Sequence, residues 1–270
     1  RLLSVTALVE GKERPVALSC FMEKDTLKAE LPAGTRKVYV TFLTRNAGIH
    51  PSYINMMDKE SCKVLIDTVY EPHYQHYKND FGTTIAGFFS DEPEIGNGHL
   101  YEMGKQISDL EDQAWSREVE AELKKRWGRS FTAWLSLIWN QPVDSDLCAK
   151  VRYDYMDVVT WAVEKDFSYQ IGNWCRKRGV QYIGHLIEDN NQHSRTGSSL
   201  GHYFRGLAGQ DMAGIDNIVG QVLPCQEETS GVYPGSKGRD GHFYHYVLGK
   251  LAASAAALEP LKKGRSMCEI

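Results

Sequence analysis

Over the first 43 residues apolar and polar positions alternate in short runs broken by turn formers. Leu3, Val5, Ala7 and Val9 precede Glu10-Gly11, Val16-Ala17-Leu18 comes next, and Leu27, Ala29 and Leu31 precede Pro32-Ala33-Gly34. Period-two alternation with such breakers predicts a small antiparallel β segment over residues 1–36. The run from Lys37 to Leu43 is longer and more continuously apolar, as in a strand covered on both faces, and it predicts the start of a second domain over 37–270.

Beyond residue 43 the order becomes helix, glycine, short strand, repeated. Asp58 predicts a helix cap ahead of the stripe Cys62, Leu65, Ile66 and Val69, with Pro72 kinking or ending that helix. Trp115, Val119, Leu123 and Trp127 recur every four residues up to Gly128, and a longer helix over about 151–177 runs into basic residues and Gly179. Strands are predicted over 84–89, 180–187, 215–223 and 265–268, with a further helix over 242–258. Strands separated by long helices predict parallel pairing through crossovers. No G-x-G-x-x-G comes after any strand, which removes the dinucleotide signature of an open sheet. The expected fold class is therefore α/β, a partial TIM (β/α)8 barrel behind a small N-terminal β-rich segment. Too few strands are present to close it, so the chain reads as a fragment with parts of the parent chain missing at both ends.

Composition narrows the function. With 31 basic against 35 acidic residues, a formal net charge of −4 and no long run of either sign, nothing predicts a nucleic-acid or anionic-membrane partner. No apolar stretch approaches a membrane span. Six scattered cysteines without a Cys-x-x-Cys pair read as buried thiols of a reducing compartment, the cytoplasm being the favoured one.

The candidate chemistry lies just past the carboxyl ends of the strands. Thr84–Phe89 leads into Ser90-Asp91-Glu92-Pro93-Glu94, Val180–Ile187 into Glu188-Asp189, and Arg265–Cys268 into Glu269. Acidic residues thus recur after three strands, at the edge where barrel active sites are built. Facing carboxylates can protonate a leaving oxygen and either attack a sugar carbon or activate water. Glu92 is the expected general acid, with Asp91 as the neighbouring charge that keeps it protonated, and Glu269 the opposing carboxylate. Asn46, His50, Tyr53, His185, Glu188, Asp189 and Asn190 are the expected substrate-binding groups, with Asn191 and His193 just beyond.

The run Ile85–Glu94, the Tyr70–Tyr74 helix, Gly184-His185 with Glu188, and Arg265–Glu269 together resemble large bacterial glycoside hydrolases of the family-2-like group. They are similar to the α-L-rhamnosidases of glycoside hydrolase family 106. The resemblance covers most of the chain from Val38 onward. It implies a catalytic (β/α)8 barrel acting on a carbohydrate substrate, with Glu92 on the fourth strand and Glu269 on the seventh. The residues themselves ask for no cofactor and define no metal site, whereas likeness to family 106 implies calcium. Two other readings stand beside this one. His185, Glu188, Asp189 and His193 could serve a metal-dependent hydrolase, although their spacing matches no common zinc motif. A barrel that binds carbohydrate without catalysis is the other.

Overall fold

The computed structural model describes residues 1–24, 26–45, 53–95, 113–139, 145–186, 199–217, 228–229, 239–240 and 243–269. In chain order the strands and helices are β1 (Leu2–Val9), β2 (Val16–Ala17), β3 (Cys20–Glu23), β4 (Thr26–Ala29), β5 (Thr35–Phe42), α1 (Lys59–Leu65), α2 (Glu71–Tyr77), β6 (Gly87–Ser90), α3 (Arg117–Trp127) and α4 (Phe131–Trp134). The chain continues with α5 (Asp146–Val163), α6 (Tyr169–Arg176), β7 (Gln181–Gly184), α7 (Tyr203–Gly206), β8 (Ala213–Asp216), β9 (Glu228–Thr229), β10 (Arg239–Asp240), α8 (Leu248–Leu258) and β11 (Ser266–Glu269). It divides into two compact units, Arg1–Ser52 with Asn97–Val159, and Tyr53–Gly96 with Thr160–Ile270.

In the first unit β1 is the central strand, antiparallel to β5 on one side and to β2 on the other. Its Val5, Ala7 and Val9 are buried, and so are Ser4 and Thr6, so both of its faces are covered. The expected boundary after residue 36 falls inside β5. The strand at 37–43 does not open the parallel domain but pairs with β1, with Val5 opposite Val40 and Ala7 opposite Val38. Its pattern explains why: Tyr39 and Thr41 are buried while Val38, Val40 and Phe42 are exposed, so it alternates as a half-covered antiparallel strand does. α3 starts at Ser116, whose hydroxyl accepts the Val119 N–H, and its predicted stripe of Val119, Leu123 and Trp127 is buried. Trp127 donates its indole N–H to Asp154 on α5 (2.9 Å), and the Tyr155 hydroxyl donates to the Ala114 carbonyl (2.7 Å). Buried polar atoms on this helix pair are thereby satisfied.

In the second unit Asp58 caps α1 as expected, accepting from the Glu60 and Ser61 amides. The helix does not stop at Pro72. A π-helical turn over Ile66–Tyr70 shifts the backbone register, so Pro72 falls in the first turn of α2, where its missing N–H is least costly. A similar π turn over Glu164–Ser168 joins α5 to α6. Tyr70, Phe88 and Trp174 stack between these helices and β6, with ring centroids 4.6 Å apart for Tyr70 and Phe88 and 5.9 Å for Phe88 and Trp174. The Arg178 guanidinium lies 4.0 Å above the Trp174 ring and donates to Glu71 (2.6 Å), covering the outer edge of this layer.

Four parallel strands lie against this layer and beyond it. β6 pairs with β7 from Gly87 opposite Gln181 to Ser90 opposite Gly184. β8 pairs with β11 from Ala213 opposite Ser266 to Asp216 opposite Glu269. β8 approaches β7 in the same direction: Asp211 donates its amide to the Tyr182 carbonyl (2.7 Å), its carboxylate accepts the Tyr182 amide (2.8 Å), and Gly214 lies against Gly184. Parts of the strands expected over 84–89, 180–187, 215–223 and 265–268 are thus paired in parallel, whereas the strand at 37–43, expected beside them, is antiparallel to β1; residues 187 and 218–223 lie outside the described residues. Among the described residues no sheet closes on itself. No helix of the described residues is long and apolar enough to cross a membrane. α8 buries Leu248, Ala252, Ala255 and Ala256, and beyond it Lys262 is fully buried, donating to the carbonyls of Leu207 (2.6 Å) and Gln210 (3.0 Å).

Candidate active site

The carboxyl ends of the four parallel strands carry the polar cluster of this unit. Asp91 and Glu92 come directly after β6, His185 directly after β7, and Asp216 and Glu269 are the last residues of β8 and β11. Backbone contact sets their spacing. A Cβ on Gly184 would overlap the Ser90 carbonyl oxygen, and a Cβ on Gly214 would overlap the carbonyl oxygen of Gly184. Only glycine fits at these two positions, so β6, β7 and β8 meet main chain to main chain at the level of the site.

His185 is the centre of the cluster. It is 1% exposed, and its Nδ1 lies 2.9 Å from the Leu186 carbonyl oxygen. Nε2 faces Asp91 Oδ1 at 3.2 Å and Glu269 Oε2 at 3.1 Å. Asp91, His185 and Glu269 thus bring one polar atom each to within 4.8 Å of one another, and so do Glu92, His185 and Asp216. Asp91 and Glu269 are exposed, Glu92 is half-buried and Asp216 is buried. Glu92 has a φ of 38°, the left-handed region that is costly for a residue with a Cβ, by about 1–3 kcal/mol. The surrounding fold holds it there, which turns its side chain off the line of β6 and into the cluster.

The expected catalytic pair, Glu92 and Glu269, is brought to one imidazole from two different strands. Asp91, next to Glu92 in the chain, lies against His185, and Glu269 lies against the same ring nitrogen. Tyr53 is about half exposed, and its phenol is raised above the ordinary range by burial first and by the Glu94 charge second. Asn46, His50, Glu188, Asp189, Asn190, Asn191 and His193 lie outside the described residues. Asp216 is the group that sequence reasoning missed. The strand predicted over 215–223 placed it inside an apolar run, whereas β8 ends on it.

Calcium, which the family resemblance implies, takes roughly six to eight oxygen donors. The described residues offer two groups that could hold a metal ion, Asp91 with His185 and Glu269, and Glu92 with His185 and Asp216, each with two carboxylates and one imidazole rather than an all-oxygen set. No family model, curated protein or solved structure matches this chain.

Proposed function

We propose that this cluster is the acid–base centre of a glycoside hydrolase. The observation that supports the reading best is the convergence of carboxylates from three strand ends on one buried histidine, at the carboxyl edge of parallel strands. Glycosidic cleavage needs one carboxyl that donates a proton to the leaving oxygen and a second that attacks the sugar carbon or activates water. Glu92 takes the first role, because it is the half-buried member and its strained backbone fixes its direction. Glu269 takes the second, oriented by His185, and Asp91 holds the other side of the same ring. An α-L-rhamnosidase-type substrate rests on the resemblance alone.

The test is turnover of a panel of aryl glycosides, α-L-rhamnoside included, by the full-length protein, with the product anomer followed by NMR. Glu92→Gln is expected to lower turnover by about 10²- to 10⁴-fold for poor leaving groups and far less for activated ones, since only the former need the proton. Sugar binding without turnover on any member of the panel would favour the non-catalytic carbohydrate-binding reading. Turnover abolished by a chelator and restored by a divalent ion would favour the metal-dependent one.

A further inference from the structure

We propose that Phe89 is the apolar platform on which a sugar ring of the substrate rests; this builds on the glycosidase reading and names a binding residue for it. Successive residues of a strand point to opposite faces of their sheet, and the two phenylalanines of β6 divide accordingly. Phe88 enters the aromatic layer beside Tyr70 and Trp174. Phe89 lies on the other face and is 46% exposed. Its ladder partner is Ile183, two residues before His185, and its ring centroid stands 5.7 Å from that of His185 with the planes inclined at 59°.

The same imidazole has Asp91 Oδ1 at 3.2 Å and Glu269 Oε2 at 3.1 Å from its Nε2. One buried ring therefore borders both an exposed, flat hydrocarbon surface and two carboxylates. A ligand that touches all three must offer polar groups on its rim and an apolar area the size of a benzene ring. A pyranose does both, with hydroxyls around its edge and C–H groups across a face. Those C–H bonds are positive at hydrogen and are attracted to the negative face of an aromatic ring, and the contact takes apolar surface of both partners out of water. Phenylalanine has no polar tip, so it recognises the sugar through C–H groups alone. The ligand class is accordingly a sugar that presents one face free of hydroxyls. Read from the chain, Phe89 is only one more apolar position in the strand over 84–89; its exposure and its place beside His185 come from the fold.

A platform contacts substrate and transition state alike, so its loss raises KM and leaves kcat nearly unchanged. In the full-length protein Phe89→Ala should raise KM about tenfold on every aryl glycoside that the wild type cleaves, with kcat altered by less than about twofold. Phe89→Leu, which keeps apolar bulk and loses the ring, should show most of that rise, whereas Phe89→Tyr should stay within about threefold of the wild type. An unchanged KM in Phe89→Leu, or a fall confined to kcat, would overturn the proposal and leave the glycosidase reading standing. A second measurement needs no turnover. In NMR titration of the wild-type protein with non-hydrolysable thioglycosides, the C–H protons of one sugar face should move upfield, the ring-current signature of stacking, and Phe89→Leu should abolish the movement. Movement that survives in Phe89→Leu would overturn the platform. Stacking at Phe89 in a protein that cleaves no glycoside would refute the catalytic reading and leave the platform in place, and a protein that neither binds nor cleaves any member of the panel would refute both.

Discussion

His185 Nε2 stands 3.1 Å from Glu269 Oε2, joining the end of β7 to the end of β11 across β8. The ring is buried, and its other nitrogen is tied to a backbone carbonyl, so it cannot rotate to track a displaced carboxylate. If Glu269 is the second carboxyl, as proposed, His185 is its positioning residue. His185→Gln should lower kcat by about 10²-fold with little change in KM, because misplacement of a reacting group by about an ångström carries a penalty of that order. Steady-state kinetics of the full-length protein check this. A change confined to KM would place His185 among substrate contacts instead.

Gly214 offers a purely steric test. An added methyl group would overlap a backbone carbonyl of the neighbouring strand, which cannot swing aside as a side chain can. Gly214→Ala should destabilise the protein by about 2 kcal/mol or more, read by urea unfolding. Gly249→Ala, on an open face of α8, is the control and should be neutral or slightly stabilising.

Lys262 carries a stability signature that depends on pH. Burial pushes its amine down to about 8 from 10.5, outweighing the opposing pull of Glu259 and Asp211. Between those two values the unfolded chain binds more protons than the folded one, so this group's contribution to stability rises with pH across the window. Lys262→Met leaves the Leu207 and Gln210 carbonyls without their donor and should cost about 2–4 kcal/mol. The gap to the wild type should be wider at about pH 9.5 than at about pH 7.5 in urea titrations, and a gap that narrows would contradict the assignment.

Thiol reactivity should divide the cysteines. Burial, then the charges of Asp166 and Asp58, pushes the Cys62 thiol up to about 12, and burial with Asp211 does the same for Cys175. Cys268 is exposed on β11. Brief alkylation with subsequent peptide mapping should label Cys268 in the folded protein, and Cys62 and Cys175 only after unfolding. Cys268 thus departs from the buried thiols that the sequence predicts.

Much of the fold is legible in the chain because the relevant signals are local. Asp58 and Ser116 announce helix starts, the four-residue repeat from Val119 to Trp127 marks a buried stripe, and Asp91, Glu92 and Glu269 stand where strands end. The features that escape such a reading are set by tertiary contact. The partner of β5 is chosen by β1 across an intervening hairpin, and a half-covered strand with Val38, Val40 and Phe42 exposed looks fully apolar when only its composition is read. Asp216 was hidden because a strand end cannot be placed to the residue when polar and apolar positions mix beyond it. Pro72 misled because a π turn absorbs one residue, a device that leaves no periodic trace.

The glycine contacts at Gly184 and Gly214 have a further consequence for how the protein can change. Where strands are spaced by side chains, each core substitution moves them and detunes whatever they carry. Here the separation of the strands that bear Glu92, His185 and Asp216 is fixed by main-chain atoms that every substitution elsewhere leaves in place. The cluster is thus insulated from drift in the surrounding core. The chain is free to vary its helices and aromatic layer while keeping the same arrangement of proton-carrying groups, and the cost of that freedom is a set of strand positions, Gly87, Gly184 and Gly214, that admit no side chain.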